Sequence, residues 1–379
     1  MDVVDLTRRL IQAPSLSGDE RAAADIAFAA MEALGFDEVT RDAFGSVTGR
    51  VGPAEGPAAL LLDGHLDVVP ASGAWSVDPF GGEIRGSRLY GRGATDMKGA
   101  VAAAICGVAA AAGDGRLTRQ VVVSASVMEE LVEGAALARV LDRWRPEAVV
   151  ICEPSTLELR IAQRGRMEIV LELRGQPAHA SMPHLGRNPI EAAAMALRCI
   201  ETIDPIREPL LGAGVLVPVG IVSGPFPSPS MIPVTTTICF DRRTVTGETR
   251  ETVLAQIETA LTSNGITDFT LSCPADPLRT YTGLSIEVER EFPSWSIAPD
   301  HPLVAAGLRA VEAAGLPART GAWVCCTNGS ESAGRRGIPT IGIGPGDIGD
   351  AHVIDESIEI AQLHKAVEVY RNLARDIAG

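Results

Sequence analysis

Short, unbroken apolar runs alternate with helical patterns along this chain, and that alternation limits the available folds more than any other feature. AALLLDGH at 58–65, VVVSASV at 121–127 and AVVICEP at 148–154 have strand length and little polar interruption. Between them come an alanine-rich helical stretch after Met97 and a helix expected through ELVEGAALARVLDRW, directly from Glu130. Continuous apolar strands interleaved with helices predict a sheet covered on both faces, in an α/β domain with a central, mostly parallel sheet.

Near residue 166 the pattern changes. MEIVLELRG alternates Met167, Ile169, Leu171 and Leu173 against Glu168, Glu172 and Arg174, the period of a strand with one wet face. A helix from RNPIEAAAMALRCIETI follows, then strands VLVPVGIVSG and VTTTICFDRR, a helix from GETRETVLAQIETAL and a last strand in DFTLSCP. That β-α-β-β-α-β order is ferredoxin-like. It predicts a second domain at 167–281 inserted between two parts of the first, 1–166 and 282–379. A chain of 379 residues exceeds what one core usually organises, which also favours two domains. The first pattern resumes in HPLVAAGLRAVEAAG and PTIGIG, and a terminal helix aligns Ile360, Leu363, Val367, Tyr370 and Leu373 on one apolar face.

Composition excludes several classes of partner. With 33 basic and 48 acidic residues the net charge is −15, which repels nucleic acid and anionic membrane surfaces and favours small-molecule or protein partners. The longest small-apolar run, GAVAAAICGVAAAAG, is short for a bilayer and suits a buried helix. No secretory h-region opens the chain, so a cytoplasmic protein is expected. The seven cysteines have no CxxC spacing; reduced thiols are expected, buried where Cys106, Cys152 and Cys239 lie within apolar runs, and a thiolate zinc site is not.

The residues able to do chemistry follow strands. His65 and Asp67 close the first run, Asp96 sits in the glycine-rich LYGRGATDMKG, Glu129 and Glu130 end the second run, Glu153 ends the third, and His352 follows the last. Ligand crevices of open α/β sheets lie at the carboxyl ends of the strands, so these residues can converge. Each alone has a bland reading: a hydrogen-bonded core histidine, turn-forming aspartates, acids complementing a helix dipole. Together, two imidazoles and several carboxylates without thiolates suit zinc, cobalt or manganese, with one Asp bridging two ions. Two divalent cations are then neutralised by Asp96, Glu130, Glu153 and one hydroxide, which leaves Glu129 free. Neighbouring residues leaving a strand point in different directions, so Glu130 can hold a cation while Glu129 moves protons. Metal-activated water attacking an amide, with a carboxylate as base, needs that division of labour.

Six ordered motifs, GHLDVVP, LYGRGATDMKGA, VMEE, CEPS, AHASMPHLGRNPI and AHVIDE, resemble the acetylornithine deacetylase, succinyl-diaminopimelate desuccinylase, carboxypeptidase G and aminoacylase family of di-zinc metallohydrolases nearly end to end. QRGRMEI, FPSW and TNGSESAGRRGIPTIGIGPG look most like its selenium-metabolism-linked branch. The resemblance implies a zinc-peptidase-like catalytic domain with an inserted lid and dimerisation domain. It implies His65, Asp96 and Glu153 on one ion, Asp96, Glu130 and His352 on the other, Asp67 orienting His65, and Glu129 as general base. It further implies that His179 reaches the partner subunit's active site of a homodimer to stabilise the oxyanion. The expected substrate is an N-acyl amino acid or a small peptide. One departure bears on substrate: TNGS places Asn328 and Ser330, on either side of Gly329, where the deacetylase and desuccinylase branches often carry an Asp and a carboxylate-gripping Arg. These three residues and Arg243, which matches the lid-domain arginine, are the expected substrate contacts. Ser230 stands where Asn is frequent.

Two other classes compete. GPGDIG at 344–349 fits GxGxxG after a strand, but a dinucleotide site needs a following helix, strand and ribose-binding acid. A non-catalytic, metal-bound binding or scaffold descendant usually loses the base or a ligand, and every matched position is filled here.

Overall fold

Four strands without a polar face, Leu60–His65, Val121–Ser126, Val149–Ile151 and Thr340–Gly342, lie side by side and parallel, and every residue in them is buried. Burial on both faces explains why they read as continuous apolar runs. The flanks differ from the mostly parallel sheet expected. Val47–Val51 joins antiparallel on one side and carries Glu38–Arg41 beyond it; on the other, Leu159–Gln163 runs antiparallel to Thr340–Gly342. The complete nine-stranded sheet is therefore mixed, parallel at its centre.

The computed structural model describes residues 1–227 and 230–379. They form two compact units: Met1–Gln163, Pro277–Ile286 and Trp295–Gly379 make the first, Arg164–Asp276 and Glu287–Ser294 the second. The division differs slightly from 167–281. Tyr281 donates its hydroxyl to the Gly45 carbonyl at 2.7 Å, which holds 277–286 in the first unit. Glu291–Phe292 pairs with the long strand Gly165–Arg174, which draws 287–294 into the second.

The alanine-rich helix Gly99–Gly113 is a core element of the first unit, with eleven of its residues buried. A Cβ on Gly107 would lie 2.8 Å from the Val367 carbonyl, so small residues let the terminal helix Ile360–Ala378 approach closely. Ala94–Gly113 is the single described helical segment long and apolar enough to cross a membrane by length and composition, and it is 72% buried inside the protein. On the terminal helix Leu363, Tyr370 and Leu373 are buried, with Ile360 and Val367 at the margin. The helix expected from Glu130 begins only at Ala135, after Gly134 at φ 84°; residues 127–134 form a turn instead.

In the second unit four antiparallel strands run Val215–Gly224, Thr235–Thr244, Gly165–Arg174, Phe269–Ser272 across the sheet, with helices Pro189–Ile200 and Arg250–Thr262 after the first and third strands of the chain order. This is the ferredoxin-like arrangement. Met167, Ile169, Leu171 and Leu173 face the helices and are buried, as their alternation predicts. Cys239 lies on the opposite face of its strand and is exposed, contrary to expectation; no described cysteine is in a disulfide.

Candidate metal centre

Parallel strands share a direction, so their carboxyl ends meet on one edge of the sheet. His65 is the last residue of its strand, and Glu153 lies two residues past Ile151. Glu129 and Glu130 sit in the turn after Ser126, entered through Met128 at φ 64°. Asp96 comes from the tight turn Ala94–Lys98, capped by Gly93 at φ 85°. His352, itself at φ 61°, is carried by the loop after Thr340–Gly342.

The side chains meet around Asp96. Its Oδ1 is 3.1 Å from His65 Nε2 and its Oδ2 is 3.1 Å from His352 Nε2. His65 Nε2 also lies 3.5 Å from Glu153 Oε1, and His352 Nε2 3.1 Å from Glu130 Oε2. Within each of two triplets, His65, Asp96, Glu153 and Asp96, Glu130, His352, the ligand atoms lie within 4.8 Å of one another. Glu129 belongs to neither, although its Oε2 is 3.9 Å from His65 Nε2. The His65 Nδ1 lies 2.9 Å from the Asp67 backbone carbonyl, which sets the tautomer that leaves Nε2 free to ligate.

Three buried acids outside the triplets hold the ligand-bearing segments. The Asp67 carboxylate lies 3.7 Å from His65 Nδ1, farther than the Asp67 carbonyl. It accepts the backbone N–H of Glu129 on Oδ1 and that of Glu130 on Oδ2, each at 3.0 Å, and the Ser17 hydroxyl at 2.7 Å. Glu20 accepts the N–H groups of Gly18 and Met128 on one oxygen, at 2.9 and 3.2 Å. Glu356 accepts the N–H groups of Thr95 and Asp96. Glu20 and Glu356 escaped the sequence reading. Glu356 closes the AHVIDE motif, but Glu20, before a helix in SLSGDE, carries only the signal of an ordinary first-turn acid.

Electrostatics of the cluster follow from burial and mutual charge. Burial pushes Glu129 and Glu153 well above the usual carboxyl range, and burial together with the Asp96 charge brings Glu130 to about 7. For Asp96 burial also acts upward, but the hydrogen bonds with His352 and His65 outweigh it and hold the carboxyl well below its ordinary value. Burial pulls His65 down, yet the Asp96 bond and the Glu153 and Glu129 charges carry it well above normal. Bonds to Asp96 and Glu130 raise His352 to about 10. Imidazoles that hold protons beside acids reluctant to ionise form a cluster short of positive charge. The two triplets would hold divalent cations in place of those protons, and their nitrogen and oxygen donors fit zinc, cobalt or manganese.

The remaining expected site residues stand differently. Asn328 is a wall residue: its amide donates to Asp63 and Ser126 at 2.7 and 3.1 Å, its oxygen accepts the Gly134 N–H, and it is 3% exposed. Ser330 is buried, and a Cβ on Gly329 would lie 2.5 Å from Trp295 Nε1. The Asn328 side chain is therefore engaged by protein partners, whereas Gly329 and Ser330 are packed in the wall. His179 and Arg243 belong to the second unit. The Arg243 Nε and Nη2 donate to Asp241 at 2.8 and 3.2 Å, which fixes the guanidinium and leaves its Nη1 edge outside that pair. The GPGDIG segment leads into a single 3₁₀ turn, Ile348–Asp350, and not into the helix a dinucleotide site requires. His301 is a helix cap, its Nδ1 accepting the Leu303 N–H.

The sequence profile of peptidase family M20/M25/M40 matches residues 61–376. The chain is 31% identical over 386 residues to the uncharacterized protein YgeY of Escherichia coli (strain K12), covering 97% of this chain and 93% of that protein. It is 33% identical over 219 residues to a succinyl-diaminopimelate desuccinylase of Sphingopyxis alaskensis, 54% of this chain and 57% of that enzyme. Among solved structures, the Bacillus subtilis YXEP protein, described as a dinuclear metal binding peptidase from the M20 family, has the same fold: TM-score 0.74, 14% identity, 99% of this chain and 97% of that one. The chain belongs to peptidase family M20/M25/M40, a family of hydrolases.

Proposed function

We propose that this protein hydrolyses the amide bond of an N-acyl amino acid or a small peptide, using two divalent cations and Glu129 as the general base. The observation that carries this reading is the pair of triplets joined through Asp96, with Glu129 buried beside them and outside both. His65, Asp96 and Glu153 would hold one cation and Asp96, Glu130 and His352 the other, zinc being favoured with cobalt or manganese as alternatives. Bound there, the cations would supply Lewis acidity toward water and the scissile carbonyl. Glu129 takes the proton of the attacking water and delivers it to the departing amine. Asp67 keeps Glu129 and Glu130 in register by bonding both of their backbone N–H groups.

We infer a homodimer as the working form. The edge strand Val215–Gly224 leaves Val217, Val219, Ile221 and Val222 exposed, an apolar border that a second copy can extend. The ring of His179 is exposed, and its Nδ1 accepts the backbone N–H of Ser181 at 3.1 Å. In the neutral ring the proton therefore sits on Nε2, the tautomer needed to donate to an oxyanion of the partner subunit.

Glu129→Gln should retain two cations by metal analysis while turnover of the best substrate from an N-acyl amino acid and dipeptide panel falls by about 10²–10⁴. Co-expression with His179→Ala chains should restore activity in mixed dimers. Near-normal turnover of the Gln variant would refute its role as base, and mixed dimers without recovery would refute action across subunits.

A further inference from the structure

The second triplet takes all three of its donors from turns and loops outside the sheet, and the Asp67 carboxylate already holds the Glu130 turn. His352 is in an exposed loop, and Asp96 is in a turn whose backbone must be pinned for its carboxylate to face both imidazoles. Glu356, four residues after His352 and 1% exposed, does that pinning. Its Oε1 accepts the Thr95 and Asp96 N–H groups at 2.9 and 3.1 Å, and its backbone carbonyl accepts the Gly91 N–H at 2.9 Å. One residue of the His352 loop thereby grips the first half of the Asp96 turn and the segment that leads into it. Its Oε2 pairs with Arg92 Nη1 at 2.6 Å, and that guanidinium, 3% exposed, lies 5.2 Å over the Trp75 ring. The Thr95 hydroxyl adds a bond to the neighbouring Ser357 carbonyl at 2.9 Å, while Arg88 to Asp350 and the Ser76 N–H to Asp355 tie the loop to other segments.

We propose that Glu356 is a positioning residue that sets the affinity of the second cation site by coupling the Asp96 turn to the His352 loop. It rests on the two-cation reading above. Both triplets share Asp96, so both feel a loosened turn, but the second also depends on the His352 loop. His65 and Glu153 are held by neighbouring sheet strands and by the Asp67 carbonyl, independently of Glu356. The 3.1 Å approach of His352 to Asp96 exists only while loop and turn stay in register. An acid serving as an outer partner of ligands typically changes metal affinity 10–100-fold when removed.

The test is calorimetric titration of metal-free protein with Co²⁺ or Zn²⁺, alongside the visible absorption of the cobalt form. The wild type should take two ions. Glu356→Ala should weaken both ions, the second about 10–100-fold and the first by a distinctly smaller factor, because His65 and Glu153 keep their own anchors. Glu356→Gln keeps an oxygen for the two N–H groups but turns an amide toward Arg92, and it should fall between; it carries the test alone if the Ala variant fails to fold. Equal weakening of both ions, or no weakening, would overturn the coupling role. A wild type that takes fewer than two ions would instead overturn the two-cation reading on which it stands.

Discussion

His65 ends a sheet strand and its side chain is 1% exposed, whereas His352 occupies a loop with its side chain 51% exposed, although both imidazoles lie 3.1 Å from the same Asp96 carboxylate. The same contrast separates their partners, since Glu153 follows a parallel strand and Glu130 sits in a turn. A sheet strand holds its end residue through two neighbouring ladders, while a loop holds its ligand only through the few side chains that anchor it. One half of the centre is therefore built into the core and the other is strapped on. Buried acids provide the straps: Asp67 for the Glu129–Glu130 turn, Glu356 for the Asp96 turn.

The largest expected effect concerns the residue common to both halves. Asp96→Ala should leave the purified protein with neither cation by metal analysis; retention of one at wild-type affinity would mean that the triplets do not share a carboxylate. Next comes the contrast itself, measured by urea unfolding of the metal-free protein. His65→Ala opens a buried cavity and strips the Asp67 carbonyl of its partner, a loss of about 1–3 kcal/mol. His352→Ala removes a half-exposed pair and should cost less than about 1 kcal/mol. Equal losses would erase the distinction between a built-in and a strapped half.

The smallest effect probes the third acid. Burial, reinforced by the Asp67 charge, raises Glu20 from 4.5 to about 7. The folded protein then binds more protons than the unfolded chain between those values. Stability contributed by this group is fully present below pH 4.5 and is lost as pH rises through about 7. Glu20→Gln stays neutral yet keeps an acceptor for the Gly18 and Met128 N–H groups, so it should flatten that decline and be the more stable protein at pH 8. A variant with the wild-type slope across this window would show that Glu20 ionises as freely in the fold as outside it.

How much of this was legible in the chain depends on the range of the interaction. The four central strands and the ferredoxin-like order of the second unit follow from hydrophobic periods, which are local. The carboxyl-edge positions of His65, Glu130, Glu153 and His352 follow from where those strands end, whereas Asp96 comes from a turn outside that sheet. The antiparallel flanks of the sheet were not legible, because Val47–Val51 and Leu159–Gln163 are as buried as their parallel neighbours and carry no mark of direction. Nor was the start of the helix after Glu130: its acids resemble a first turn, but the Asp67 carboxylate takes their N–H groups into a turn of another kind.

Sequence alone determined the α/β class and the ferredoxin-like order of the second unit, since each rests on residue type and spacing within a few turns or strands. Only the tertiary structure decided that Asn328 is a wall residue and that Asp67, Glu20 and Glu356 act as backbone clamps. A clamp is an acid meeting N–H groups up to 261 residues away, as Glu356 meets Thr95, and an acid's own neighbours in the chain say nothing about which distant amide will need it.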